Sequence, residues 1–294
     1  MTTSIRLRPW QKDALEKLLA SDADNFLAVA TPGAGKTTFA LTAAAHHLAD
    51  RSCRGLVVVA PTQHLKLQWA ESAHRLGLHL DHEWSARDGE LPTDMHGIVT
   101  TYQQVSTSAA VLRTLSAGAF VILDEVHHAG DDKSWGESVL TAFASARRRL
   151  MLSGTPFRSD NNPIPYVRYE QGESQADFTY GYSHSIRDGV CRPILFPSYE
   201  GELTWLSDGR EHRATFEDGL TFERQRERLK TALLQETWLG PVLSDAHAEL
   251  QRLRKQEQAD AGGLIVTMNQ DHARQVADLV HRLTGTRALV AVSD

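Results

Sequence analysis

Residues 30–37 read ATPGAGKT, and they follow directly on the apolar run Phe26-Leu27-Ala28-Val29. This is a buried strand passing through a glycine-bearing turn into Gly-Lys-Thr, and the junction commits the chain to a strand–turn–helix unit. The turn suits a polyphosphate. Gly33 and Gly35 let the backbone approach closely, and their amides can point inward as an anion-binding nest. A helix starting near Lys36 would aim its positive dipole end at the same anion. Lys36 can reach the outer phosphates, and the Thr37 hydroxyl can ligate Mg²⁺. The strict pattern for such loops opens with Gly, and Ala30 stands there instead; the spacing to Gly-Lys-Thr is intact. A chance glycine-rich turn is the competing explanation. The preceding strand and the helix-forming segment Phe39–Ala49 speak against it.

A chain of 294 residues accommodates one or two domains. Its hydrophobic fraction of 41% is enough for a real core. The formal net charge of −6 argues against broad, charge-driven coating of nucleic acid, but leaves room for a locally basic or neutral groove. Cys53 and Cys191 stand far apart and fit neither a zinc pattern nor a disulfide framework, as in a reducing compartment. No apolar run approaches the roughly 18 residues of a membrane span. The start, MTTSIRLRPW, has no signal-like apolar stretch. A cytoplasmic protein without a membrane partner is the expectation.

Short apolar runs alternate with helical stretches. Phe26–Ala30, Leu56–Ala60, Gly97–Thr100, Phe120–Leu123 and Leu150–Ser153 are continuous and rich in Val, Ile or Leu, as strands covered on both faces should be. Helices are expected at Gln11–Ala20, Lys36–Ala49, Leu65–Leu76 and Val139–Ala144. Such alternation predicts an α/β domain with a parallel sheet, whose ligands sit beyond the carboxyl ends of the strands. The character changes after about Pro193. Residues 198–216 are polar and glycine-rich, and Glu223–Leu234 and Ser244–Gln258 look like charged helices. A strand pattern restarts at Leu264–Met268. A helix follows with Ala273, Val276, Ala277, Val280 and Leu283 on one face, and then Ala288–Val292 begins another strand.

The strand Phe120–Leu123 ends in Asp124-Glu125-Val126-His127-His128. Two adjacent acids at an apolar strand tip are costly if buried alone, so they call for a cation. Mg²⁺ prefers oxygen ligands and commonly uses one or two carboxylates plus phosphates. Asp124 is placed to hold the metal, and Glu125 to orient or deprotonate an attacking water. Solvated strand-end acids are one alternative, and a transition-metal site of Asp124, His127 and His128 is another. The phosphate loop upstream tips the balance to Mg²⁺–ATP.

The joint pattern resembles the superfamily-two helicases and translocases, in the DEAD/DEAH-box group near the restriction-translocase and XPB-like branches. Leu7-Arg8-Pro9-Trp10-Gln11 resembles that family's adenine-reading motif, and residues 30–37 its motif I. Ala60-Pro61-Thr62-Gln63 resembles motif Ia, Ile98–Gln104 the next DNA-contacting motif, DEVHH (124–128) motif II and Ser153-Gly154-Thr155-Pro156 motif III. IVTMN (265–269) resembles motif IV, which opens a second RecA-like domain.

The resemblance implies a RecA-like parallel sheet sandwiched by helices over 1–196, a largely helical linker over 197–260, and the beginning of a second RecA-like domain over 261–294. It implies that Gln11, with Arg8 nearby, reads adenine, and that Pro32, Gly33, Ala34, Gly35, Lys36, Thr37 and Thr38 cradle the phosphates. Thr37 and Asp124 would hold Mg²⁺; Lys36, Asp124 and Glu125 would carry the chemistry. His127, Ser153 and Thr155 would couple the ATP state to domain movement. Pro61, Thr62, Gln63, Thr100 and Thr101 would lie along a single strand, touching its phosphates and sugars rather than reading its bases. Ordinary strand-end packing is the alternative for the two threonines of 100–101. Arg147-Arg148-Arg149 offers a nucleic-acid patch, for which a solvated loop is the alternative.

Motifs V and VI, which bring an arginine finger worth on the order of 10³–10⁵ in rate, are not met by Asp294. ATP binding with weak hydrolysis is therefore expected of this chain. The same motor serves helicases and the ATPase subunits of restriction or phage-defence systems that move on duplex DNA without unwinding it. A nucleotide-gated binding module is the rival of another class. The spelling DEVHH, unlike the DEAD of many RNA helicases, leans the partner toward DNA.

Overall fold

Successive residues of the long strands go to opposite faces, and the chain has enough helices to cover both. In the computed structural model, which describes residues 6–91, 93–130, 133–154, 163–192, 194, 196–207 and 209–292 (with side chains except at 130 and 133–135), the chain divides into a unit ending at Ile194 and one beginning at Leu195.

The first unit opens with α1 (Pro9–Ala20), then β1 (Asn25–Ala30), α2 (Lys36–Ala49), β2 (Leu56–Ala60), α3 (Gln63–Arg75), β3 (Leu80–Asp81) and β4 (Gly97–Thr101). It continues with α4 (Tyr102–Leu115), β5 (Phe120–Leu123), a 3₁₀ turn (Val126–Gly130), α5 (Lys133–Ala142) and β6 (Arg148–Ser153). The short strands β7 (Arg168–Glu170) and β8 (Glu173–Gln175) form a separate hairpin, followed by β9 (Phe178–Tyr180) and α6 (Tyr182–Arg187). Seven parallel strands form one sheet in the order β3-β4-β2-β5-β6-β1-β9. This is the RecA-like α/β architecture that the motif order implies.

Phe26, Ala28, Leu56, Val58, Phe120, Ile122, Leu150 and Leu152 face α1, α2 and α3, where they pack on Ala14, Leu18, Phe39 and Trp69. Their alternate neighbours Leu27, Val57, Val59, Ile98, Val121, Leu123 and Met151 face α4 and α5, packing on Val105, Leu112, Val139 and Phe143. Burial on both sides explains why these strands read as unbroken apolar runs. The arginine run at the entrance of β6 is structural. Arg148 donates to the carbonyls of Leu18 and Ser21 at 2.7 Å each, closing the end of α1. Arg149 donates to the carbonyls of Phe143, Ala144 and Ala146. Arg147 remains on the surface, 3.8 Å from Asp24.

The second unit contains the hairpin β10 (Glu202–Ser207) and β11 (Arg210–Thr215), then α7 (Phe222–Leu234), α8 (Glu236–Gln256) and α9 (Gln270–Thr284). Leu239, Leu243, Val276 and Leu279 form its small core. Two features depart from the sequence expectations. The polar stretch near 200–215 is a strand hairpin, so the segment 197–260 is only partly helical. Residues 264–268 and 288–292 form no strand: Leu264, Val266 and Leu289 are exposed, and the described residues offer them no ladder. A parallel strand is held by its neighbours, and among the described residues none lies beside these runs. Among the described residues no helix is long and apolar enough to cross a membrane.

Candidate functional site

Five segments emerge from the carboxyl ends of adjacent strands. The phosphate loop leaves β1, Gly154 follows β6, Asp124-Glu125 follow β5, Pro61-Thr62 follow β2, and α4 follows β4. Because β1 and β5 are separated only by β6, their tips are about 10 Å apart by strand spacing. That brings the loop and the acidic tip within reach of each other.

They meet at Lys36. Its ammonium lies 2.7 Å from Glu125 Oε1 and donates to the Ala30 carbonyl at 3.2 Å. Glu125 Oε2 accepts the Gly154 amide at 3.2 Å. Gly154 sits close: a Cβ there would lie 3.4 Å from Lys36 Nζ and 3.3 Å from Pro32 Cδ. Glu125 itself has φ +44°, a left-handed conformation that costs a side-chain-bearing residue about 1–2 kcal/mol. His127 Nδ1 lies 3.2 Å from Ser153 Oγ and 3.7 Å from Glu125 Oε2. Thr155, the third residue expected to couple with these, falls outside the described residues.

The loop is braced from α1. Gly35 caps α2 at φ +95°, and a Cβ on it would come within 2.7 Å of Gln11 Nε2. Gln11 is buried, and both ends of its amide are used: Oε1 accepts the Arg8 amide at 2.7 Å, and Nε2 donates to the Gly35 carbonyl at 2.9 Å. Arg8 and Trp10 donate to the Ala34 carbonyl at 3.0 and 3.2 Å. The segment expected to read adenine thus also shapes the phosphate loop. Pro32 is exposed, and its carbonyl accepts Cys191 Sγ at 3.3 Å. Thr37 and Thr38 occupy the first turn of α2.

Asp124 is held from both helical layers. Trp69 Nε1 donates to its Oδ2 at 2.9 Å, and the Tyr102 hydroxyl donates to its backbone carbonyl at 2.9 Å. Burial pushes the Asp124 carboxyl above the usual carboxylate range, and the charge of Glu125 adds to this; the Trp69 N–H and the Lys36 ammonium pull the other way. Neither aromatic residue was expected in the site. A Trp on the inner face of an amphipathic helix reads as core, and Tyr102 follows a strand with no signal of its polar role.

Of the residues expected along a nucleic-acid strand, Thr62 and Gln63 are exposed and Pro61 is half-buried. Thr100 and Thr101 are not at the surface, being 0% and 2% exposed. The Thr100 hydroxyl donates to Gln104 Oε1 at 3.3 Å, and Thr101 Oγ1 accepts the Gln104 amide at 3.2 Å. Their hydroxyls are consumed in starting α4, so their side chains offer no face to a strand. Among the described residues no group of three or more His, Cys, Asp or Glu side chains is arranged to hold a metal ion.

Residues 4–158 match the family profile described as ResIII, Type III restriction enzyme, res subunit. An uncharacterized protein of Mycobacterium tuberculosis is 41% identical over 297 aligned residues, covering 98% of this chain and 49% of its own length. One of Mycobacterium leprae is also 41% identical, covering 98% of this chain and 50% of its own. Among solved structures, the ATP-dependent Type ISP restriction-modification enzyme LlaBIII bound to DNA aligns with a TM-score of 0.49 at 18% identity, over 63% of this chain and 16% of that one. The chain spans about half the length of the curated relatives it matches.

Proposed function

The chain belongs to the Type III restriction enzyme res-subunit family, within the superfamily-two helicases and translocases, and we propose that its first unit is the Mg²⁺–ATP-binding half of a motor that moves on DNA. The observation that carries this reading is the meeting of Lys36 and Glu125 at 2.7 Å beside the loop whose glycines 33 and 35 take positive φ.

The residues present fit the group. Gly33 and Gly35, both at positive φ, open a cradle of amides, and α2 starts at its floor. Lys36 would leave Glu125 for the outer phosphates. Thr37 and Asp124 would hold the metal, an oxygen set of the kind Mg²⁺ prefers. Magnesium, when bound, neutralises charge on the phosphates and on the developing transition state. Glu125, released from Lys36, would orient and deprotonate the attacking water. Arg8 and Gln11 would support the base end, and His127 with Ser153 would pass a change at Glu125 to β6. Pro61, Thr62 and Gln63 would touch the backbone of the nucleic acid, positioning without reading it.

Within this class, movement on duplex DNA without strand separation is favoured over unwinding, because the matching family is that of restriction subunits. The nucleotide reading is tested by equilibrium binding of a fluorescent ATP analogue. Wild type should bind in a magnesium-dependent manner, and Lys36→Ala should bind about 100-fold more weakly. Equal affinity for the two would remove the assignment. A protein of the full length of the relatives should displace a triplex strand in an ATP-dependent way without separating a forked duplex.

A further inference from the structure

Trp69 is 2% exposed and Tyr102 1% exposed, and each brings its single polar group to Asp124. They come from opposite helical layers: Trp69 from α3, with the core of one sheet face, and Tyr102 from α4, with the core of the other. A buried indole N–H needs an acceptor. This one takes a carboxylate oxygen of a residue whose chemistry depends on where its oxygens point. With Oδ2 held at 2.9 Å by a ring that packing prevents from turning, the carboxylate cannot swing about its Cβ–Cγ bond without breaking that hydrogen bond. The holder is itself fixed. Lys66, also on α3 and buried, donates to Gln104 Oε1 of α4 at 3.1 Å, tying the two helices together.

We propose that Trp69 is the positioning residue of Asp124, setting the direction in which the carboxylate meets magnesium. The inference rests on the reading of Asp124 as a metal-holding residue. Trp69 touches neither nucleotide nor metal; it acts through the carboxylate it orients.

The variant Trp69→Phe retains an aromatic ring and removes the N–H donor together with part of the ring volume. In titrations of the 294-residue chain with a fluorescent ATP analogue, the magnesium needed for half-saturation should rise about ten-fold, the scale expected for one lost hydrogen bond to a charged group. Binding measured in excess chelator should be unchanged. The second readout is the Trp69 indole ¹⁵N–¹H resonance. It is identified among the six tryptophans by its absence in the variant, or by triple-resonance assignment of wild type if the variant does not fold. It should move when magnesium is added to the nucleotide-bound chain.

A Trp69 that merely fills the core would lower the melting temperature on substitution, yet leave the magnesium requirement and the resonance where they were. Either an unchanged requirement or an unmoved resonance overturns the proposal. The underlying reading fails separately, and takes the inference with it, if magnesium does not alter wild-type binding or if Asp124→Ala requires no more of it than wild type.

Discussion

Glu125 bridges Lys36 and Gly154: one carboxylate oxygen lies 2.7 Å from the Lys36 ammonium, and the other accepts the Gly154 amide at 3.2 Å. The ion pair is partly shielded, with the lysine side chain 11% and the glutamate 28% exposed. It therefore competes with any phosphate for the same cation. Glu125→Gln removes the competing charge while keeping the shape. Nucleotide affinity should rise by about three- to ten-fold, the range expected for a partly exposed charge pair, and isothermal titration measures it. Steady-state hydrolysis by a protein of the relatives' length should fall on the order of 10²-fold or more, because the group proposed to prepare water is lost.

Gly35→Ala tests the brace from α1. At φ +95° a Cβ is strained, and at 2.7 Å from Gln11 Nε2 it collides with the amide that holds the loop. The variant should lose on the order of 1–3 kcal/mol. Chemical denaturation followed by circular dichroism reads this directly. Nucleotide binding should weaken as well, since the Gln11 contact and the loop cannot both keep their places.

Asp124→Asn should separate stability from binding. The Asp124 carboxyl is raised chiefly by burial, so in the range between its ordinary value of 3.8 and its folded value the native state holds the extra proton. Its contribution is favourable at low pH and is lost as pH rises through the folded value; at neutral pH the ionised group is a burden on the fold. Asparagine keeps an oxygen for Trp69 and removes the charge. The melting temperature at neutral pH should rise by about 1–3 °C, while magnesium-dependent nucleotide binding is lost. A melting temperature lower than that of wild type would contradict this account.

His47 sets an acid limit from inside α2. It stacks on Phe120 at 4.9 Å, its Nδ1 lies 2.8 Å from Ser52 Oγ, and its buried Nε2 has no hydrogen-bond partner among the described residues. Burial pushes its pKa below 6.5, helped by the neighbouring Arg148. The unfolded chain then binds more protons than the native one between the folded value and 6.5. Stability from this residue is full above about pH 6.5 and declines as pH falls toward the folded value. His47→Phe should shrink the drop in melting temperature between about pH 7.5 and pH 5.5. Scanning calorimetry at the two pH values makes the comparison.

The central strands were legible because burial on both faces leaves an unbroken apolar signature, and Leu56–Ala60 and Phe120–Leu123 fall where the sequence places them. The helix α4 was not. Its sequence YQQVSTSAAVLRTL mixes hydroxyl and β-branched residues and carries non-helical dihedrals at Ser108, so its periodicity is blurred. Strand β9 is only three residues long and is held by pairing with β1, a contact remote in sequence. In the candidate site, Lys36 and the acidic pair were readable because glycines and adjacent charges are costly without a purpose. Trp69 was not, because an inward-facing indole looks the same whether or not its N–H meets a carboxylate. Thr100 and Thr101 illustrate the converse: the family resemblance implied a nucleic-acid contact, but at the end of β4 their hydroxyls are consumed by Gln104 at the start of α4.

The left-handed backbone of Glu125 sets heat tolerance against chemistry at a single codon. Selection of this chain for endurance alone would drift position 125 toward glycine or asparagine, which take that conformation more comfortably than glutamate does. The sheet would survive the exchange intact, while Lys36 would lose the carboxylate that now holds it at 2.7 Å.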